Sequence, residues 1–293
     1  MHPGAVRARR LGLLFVLLLA GGHATLAAGE QAPETVHFPS ADGKTSLVGY
    51  LFAPSGAGAN PGIVLLHGRS GPYSSLAGGV YSAAKLSGRH RAWGEFWAER
   101  GYAALLVDSF GPRGYPGGFP RGSYTSRPAA VSEQTVRPLD AYGALAYLRT
   151  RRDVISHRIG LQGWSNGAMT ALVALSDAGA PGIARPTLAT GFRAALVLYP
   201  GCRMERVKGR YVPYAPLLML VASDDNEVSP RACVDLATRS RAAGGPLELV
   251  VYEGAEHNFD DPGPARQGRD ANRRATRDAR ERAERFFQIH LGP

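Results

Sequence analysis

Short apolar runs at 63–66, 103–107, 158–161, 194–198, 217–221 and 247–252 constrain this chain more than any other feature. Each has the length of a strand, and between them lie stretches in which apolar residues recur at helical spacing. That alternation marks βαβ units, and runs without polar alternation belong to strands covered on both faces. The expected fold is therefore α/β: a mostly parallel central sheet with helices on both faces, joined by right-handed crossovers. Helices are predicted near 93–100, 136–149, 166–176, 231–243 and 270–290. Upstream, the runs 36–38 and 47–51 flank Asp42-Gly43-Lys44, which predicts an N-terminal antiparallel hairpin. The segments 73–90 and 112–128 are rich in Gly, Ser, Pro and Arg and read as long loops over the sheet.

Residues 1–28 are set apart from this pattern. Arg7, Arg9 and Arg10 lead into an apolar run over 11–20 and then into small residues, the form of a cleavable signal peptide. The run is too short to span a bilayer stably, so no membrane anchor is expected once the leader is cleaved. Arg9-Arg10 could signal twin-arginine export, but no Ser or Thr precedes the pair. The expected destination is secreted or periplasmic, with residues 29–293 forming one α/β domain. In an oxidising compartment two thiols pair more often than they stay free. A disulfide between Cys202 and Cys233 is therefore expected, joining loops on either side of the 217–221 strand.

Removing three arginines and no acid lowers the formal charge from +10 to about +7. Much of the excess lies between Arg266 and Arg285, with eight arginines against four acids. Nucleic acid is not the expected partner, because no aromatic residues interleave the charges. Ala275, Ala279, Ala283, Phe286, Phe287 and His290 recur at helical spacing, so a terminal helix docking one stripe is the better reading.

In an open α/β sheet, ligands bind beyond the carboxyl ends of the strands, so chemistry is sought just after each apolar run. Ser165, in Gly163-Trp164-Ser165-Asn166-Gly167, sits where the 158–161 run meets a helical pattern. This is the setting of a nucleophile elbow, with glycines allowing the close backbone approach a sharp turn needs. A serine hydroxyl needs a base oriented by a carboxylate. The chain offers Asp224 and Asp225 after the 217–221 run, and His257 after the last. Ser, then Asp, then His is the α/β-hydrolase order. Asp225 is the expected acid, with Asp224 as helper or turn former. An oxyanion needs two N–H donors. Asn166, next to the nucleophile, supplies one; the other is expected from His67-Gly68-Arg69-Ser70-Gly71, with Arg69 first and Ser70 next.

The stretches LLHGRSG, RGYAALLVDSFGPRG, VRPLDAYGALAYL, RIGLQGWSNGAM, ALVLYPGC, DDNEVSP and YEGAEHNFD together resemble the dienelactone hydrolase family of α/β-hydrolases. They cover nearly all of the chain beyond the leader. The resemblance implies a metal-free hydrolase of esters or lactones, a largely lidless sheet core, and a triad falling on Ser165, Asp225 and His257. The founding members of that family carry a cysteine nucleophile where this chain has Ser165. The dienelactone substrate is therefore not carried over, and serine-esterase chemistry is expected.

Arg113, beyond another strand end, either pairs with a substrate carboxylate or pins its own loop. Trp164, beside the nucleophile, is a second candidate substrate contact. No cofactor is expected: His67, His90, His157 and His257 share no metal-ligand spacing, and no Walker or GxGxxG pattern opens a helix. The partner expected is a small-molecule ester or lactone; oligomeric state is not readable. A peptidase or thioesterase on the same fold is the alternative enzyme, and a catalytically inactive binding protein the alternative outside enzymes.

Overall fold

The computed structural model describes residues 1–2, 4 and 32–292. Apart from Met1, His2 and Gly4, the leader expected at 1–28 lies outside the described residues. Strands β1 (Glu34–Pro39) and β2 (Ser46–Phe52) pair antiparallel across a turn in which Gly43 takes φ +69° and Asp42 accepts the Lys44 N–H at 2.8 Å. The predicted hairpin is thus present, one or two residues longer at each end.

Then follow β3 (Asn60–Leu66), α1 (Gly88–Ala98), β4 (Ala103–Asp108), α2 (Arg137–Thr150), β5 (Val154–Trp164), α3 (Asn166–Ala174) and β6 (Ala195–Leu198). The chain continues through the short α4 (Glu205–Lys208), β7 (Leu217–Ala222), α5 (Pro230–Ala242), β8 (Leu247–Tyr252), the short α6 (Pro264–Gln267) and α7 (Asp270–Leu291). All eight strands join one sheet in the order β1-β2-β4-β3-β5-β6-β7-β8. Only the β1–β2 and β2–β4 pairings are antiparallel; every pairing from β4 to β8 is parallel.

Alternation along the central strands builds two cores. On β3, Val64 and Leu66 face one layer while Ile63 and Leu65 face the other; on β4, Leu105 and Val107 oppose Ala104 and Leu106. The first layer is completed by Leu145 and Leu148 of α2, Leu172 and Val173 of α3, and Leu236 of α5. The second is completed by Trp93 and Trp97 of α1 and by Ala275, Ala279, Ala283 and Phe287 of α7. Both faces are covered, which is why these strands read as apolar runs rather than as alternating sequence. Ala32–Pro293 forms one compact unit.

Two boundaries differ from the sequence pattern for local reasons. Helix α1 starts five residues early because Ser87 caps it, its hydroxyl accepting the His90 N–H at 3.4 Å. Strand β5 starts four residues early with Val154, whose extension carries the largely exposed Ser156 and His157 and so lacks an apolar signature. On α7, Leu291 rather than His290 completes the buried stripe. Arginines on and before it are paired: Arg266 of α6 and Arg269, just ahead of α7, share Glu256, and Arg282 of α7 holds Asp278. No helix among the described residues is long and apolar enough to cross a membrane.

Candidate active site

Strand β5 ends at Trp164 and α3 begins at Asn166, so Ser165 alone makes the corner. Its backbone stands at φ 51°, ψ −114°, a conformation that costs a side-chain-bearing residue on the order of 1–3 kcal/mol. The corner is this tight because α3 backs straight onto the sheet. A Cβ at Gly167 would overlap the carbonyl oxygen of Leu66, and one at Gly163 would overlap that of Gly167. The two glycines are therefore steric requirements of the corner, and the hydroxyl between them stands at the carboxyl edge of the sheet.

The loop after β8 turns at Gly254 (φ +71°) and carries His257 back to that edge. His257 Nε2 lies 3.0 Å from Ser165 Oγ, and its Nδ1 lies 2.6 Å from Asp225 Oδ2. A carboxylate can only accept, so Nδ1–H donates to Asp225 and Nε2 is left to accept the serine proton. The loop after β7 orients Asp225: its Oδ1 accepts the N–H groups of Glu227 at 2.8 Å and Val228 at 2.9 Å. Asp224 points elsewhere. It is exposed, accepts the Ser223 hydroxyl, and its N–H donates to Ala255 O at 2.9 Å, a turn-forming role.

As the first residue of α3, Asn166 has a backbone N–H that the helix cannot use, and it stands directly after Ser165. The loop after β3 packs against the same corner: a Cβ at Gly68 would sit 3.5 Å from Ser165 Cβ. Gly68, Arg69, Ser70, Ser165 and His257 line a cavity of about 30 Å³, the room of about one water molecule or one oxygen substituent. The loop is fixed from beneath. His67 Nδ1–H donates to Gly68 O at 2.7 Å, and Nε2 accepts the Ser109 N–H at 3.2 Å. Arg137 donates to His67 O at 2.7 Å. Complete burial, together with Arg137 and His90, holds the His67 imidazole neutral, well below its ordinary titration range.

A cavity of about 600 Å³ opens beside Ser165, walled by Asn166, Met169, Tyr124, Glu227 and several arginines. The model of the dienelactone hydrolase family matches residues 47–291. The chain belongs to that family. A thermophilic esterase from Thermogutta terrifontis, solved with propionate bound, has a TM-score of 0.61 to this structure at 22% identity, covering 90% of this chain and 97% of its own. The same esterase phosphorylated by paraoxon has a TM-score of 0.60 at 22% identity, with the same coverage. A Klebsiella pneumoniae structure described as a candidate dienelactone hydrolase covers 88% of this chain and 99% of its own, at 17% identity and a TM-score of 0.67. At these identities the likeness is one of fold. No curated protein matches the sequence.

Neither of the two candidate substrate contacts of this dienelactone hydrolase family member lines the larger cavity. Arg113 does not face the cavity. Its guanidinium holds Asp140 of α2 through bonds of 2.8 and 2.7 Å and donates to Ser109 O at 2.7 Å, so it pins its own loop. Asp140 is fully buried, and burial raises its carboxyl despite Arg113, so the arginine is committed to it. Trp164 is fully buried, with Nε1–H donating to Asp260 at 2.9 Å; it lines the smaller cavity beside Ser165 but not the larger one. The expected disulfide joins Cys202 and Cys233, but Cys233 lies on α5 rather than in a loop.

Residues that the sequence did not single out support the histidine loop. Asp260 accepts from Trp93 Nε1 at 2.8 Å, Trp164 Nε1 at 2.9 Å and the Tyr199 hydroxyl at 2.5 Å. Arg89, half-buried on α1, donates to that hydroxyl at 2.9 Å and to the Asn258 side chain. Glu227 stands 3.9 Å from His257 Nε2. Asp260 and Glu227 fell within the family-like stretches, yet nothing in their neighbours signals the convergence.

Proposed function

We propose that the chain is an exported serine hydrolase that cleaves carboxylic esters or lactones through an acyl-enzyme on Ser165. The reading is carried by the hydrogen-bonded path from Ser165 Oγ through His257, at 3.0 Å, to Asp225, at 2.6 Å. As Oγ attacks the carbonyl carbon, its proton passes to His257 Nε2, and Asp225 stabilises the resulting imidazolium. The oxygen of the tetrahedral intermediate sits beside Ser165 between the N–H groups of Asn166, which lines the larger cavity, and Arg69, which lines both cavities, and these donate to it. Collapse expels the alcohol oxygen, which recovers the proton from Nε2. Water then gives a proton to His257 and attacks the acyl carbon, and the serine regains its proton as the acid leaves.

Family membership supports ester or lactone cleavage. The paraoxon-modified state of the structurally similar Thermogutta esterase fits a nucleophile of this reactivity. The disulfide and the leader-like first 28 residues support export. The test is turnover of short-chain aryl esters by the protein and by Ser165→Ala, alongside covalent labelling with a fluorophosphonate probe. Residual turnover in a folded Ser165→Ala protein, or labelling elsewhere than Ser165, removes the assignment.

A further inference from the structure

The cavity beside Ser165 is lined by Arg69, Arg121, Arg127 and Arg203. Two of these are answered by acids: Arg69 by Glu227 and Arg127 by Glu133. Among the described residues the other two have no carboxylate within ion-pair distance. Arg121 reaches only the backbone and side-chain oxygens of Asn226, and Arg203 the Ser229 hydroxyl at 3.5 Å. Glu205 on the same rim is taken by Lys208.

A second open cavity of about 560 Å³ adjoins the first, sharing Cys202, Arg203 and Ser229 with it. Its charged lining is Arg203, Lys208, Arg231 and Arg239 against the single acid Asp235. Asp235 lies four residues from both Arg231 and Arg239 of α5, yet forms no ion pair with either among the described residues. Arginines without an ion pair among the described residues, such as Arg185 and Arg193, occur elsewhere, but they line neither cavity. Here the unanswered cations follow one depression that begins at the nucleophile. Arg231 and Arg239 are two helical turns apart, about 12 Å along the axis. One small anion cannot meet both, whereas a chain of anions can.

We propose that the substrate is an ester of an oligoanion. The ester group lies at Ser165, and repeated carboxylate or phosphate groups of the rest of the molecule run past Arg203 along Arg231 and Arg239. This rests on the hydrolase reading and names the substrate class of that site. Exposed cations each contribute little and are screened by salt, so affinity is built by their number and weakens as ionic strength rises.

The test is direct binding by isothermal titration calorimetry, which needs no turnover. Hexagalacturonate is compared with galacturonate, and a linear polyphosphate with orthophosphate, at low and high sodium chloride. The expected result is that at least one polymer binds ~10-fold or more tightly than its monomer at low salt, with the advantage shrinking at high salt. Arg231→Ala/Arg239→Ala and, separately, Arg203→Ala should each remove most of that advantage, with folding followed by circular dichroism. The polymer whose affinity responds to these changes identifies the anion. Polymers that bind no better than monomers, or variants that bind as the parent does, overturn the proposal. Ser165→Ala should bind as the parent does, so loss of ester turnover there bears on the hydrolase reading alone.

Discussion

Arg69 grips Glu227 through two hydrogen bonds, Nε to Oε2 at 3.1 Å and Nη2 to Oε1 at 3.2 Å, tying the loop after β3 to the loop after β7. One end of this clasp carries the proposed second oxyanion donor; the other lies 3.9 Å from His257 Nε2.

Burial works against the Glu227 charge, but the Arg69 hydrogen bonds and the nearby His257 and Arg121 outweigh it and hold the carboxyl below its ordinary range. A group whose folded-state pKa is lowered stabilises the fold above its unfolded value and loses that contribution as pH falls through the folded one. Glu227→Gln should therefore cost about 1 kcal/mol at pH 7, and its gap to the parent should close below about pH 4. Urea unfolding at the two pH values measures this. The same variant should lower kcat/KM about tenfold, a loss of about 1.4 kcal/mol in transition-state binding.

The corner at Ser165 makes opposite predictions for neighbouring residues. Gly167→Ala has no room for its methyl group against the Leu66 carbonyl and should lose at least about 3 kcal/mol or fail to fold. Ser165→Gly relieves a positive-φ side chain and should be inactive yet about 1 kcal/mol more stable than Ser165→Ala. Thermal melts of the three proteins decide the order.

Arg113→Ala should remove about 3–5 kcal/mol, because it leaves Asp140 buried without its partner. Its kinetic effect should be equal on acidic and neutral esters, since the guanidinium binds Asp140 rather than substrate. A KM increase confined to acidic esters would restore the substrate-binding role.

Two buried histidines tie stability to pH. Burial, with Arg89, lowers His90 to about 3, and His67 also lies well below its ordinary value of 6.5. The unfolded chain takes up these protons first, so stability is full above pH 6.5 and falls as pH drops toward the folded values. Between pH 7 and pH 4.5 His90 should cost about 2–3 kcal/mol, and His67 acts in the same direction. Denaturant titrations across that range, repeated with His90→Phe, should show a shallower slope in the variant.

Reducing the Cys202–Cys233 bond opens a loop of 31 residues. Chain entropy puts the loss at about 4 kcal/mol. Melts with and without reductant measure it.

The strands and the proposed triad were legible because both leave local marks: apolar runs for doubly covered strands, and polar residues placed just after them in hydrolase order. Arg113 was not legible. An arginine past a strand end looks the same whether it meets a ligand or a buried acid, and Asp140 lies 27 residues away on α2. Trp164 adjoins Ser165 in sequence, but the strand's alternation buries it in the layer of α1 and α7. Asp260, Tyr199 and Arg89 come from three separate segments, and only the folded sheet brings them together.

The hydrogen bonds from Trp93 and Trp164 to Asp260 give the molecule a built-in optical probe. The chain has three tryptophans, and the third, Trp97, is 6.0 Å from Trp93 between ring centroids. Native ultraviolet emission therefore originates behind Ser165, beside an aspartate three residues from His257. Acylation of the serine, or loosening of the segment that carries the imidazole, should register as a change in colour or brightness without any attached dye.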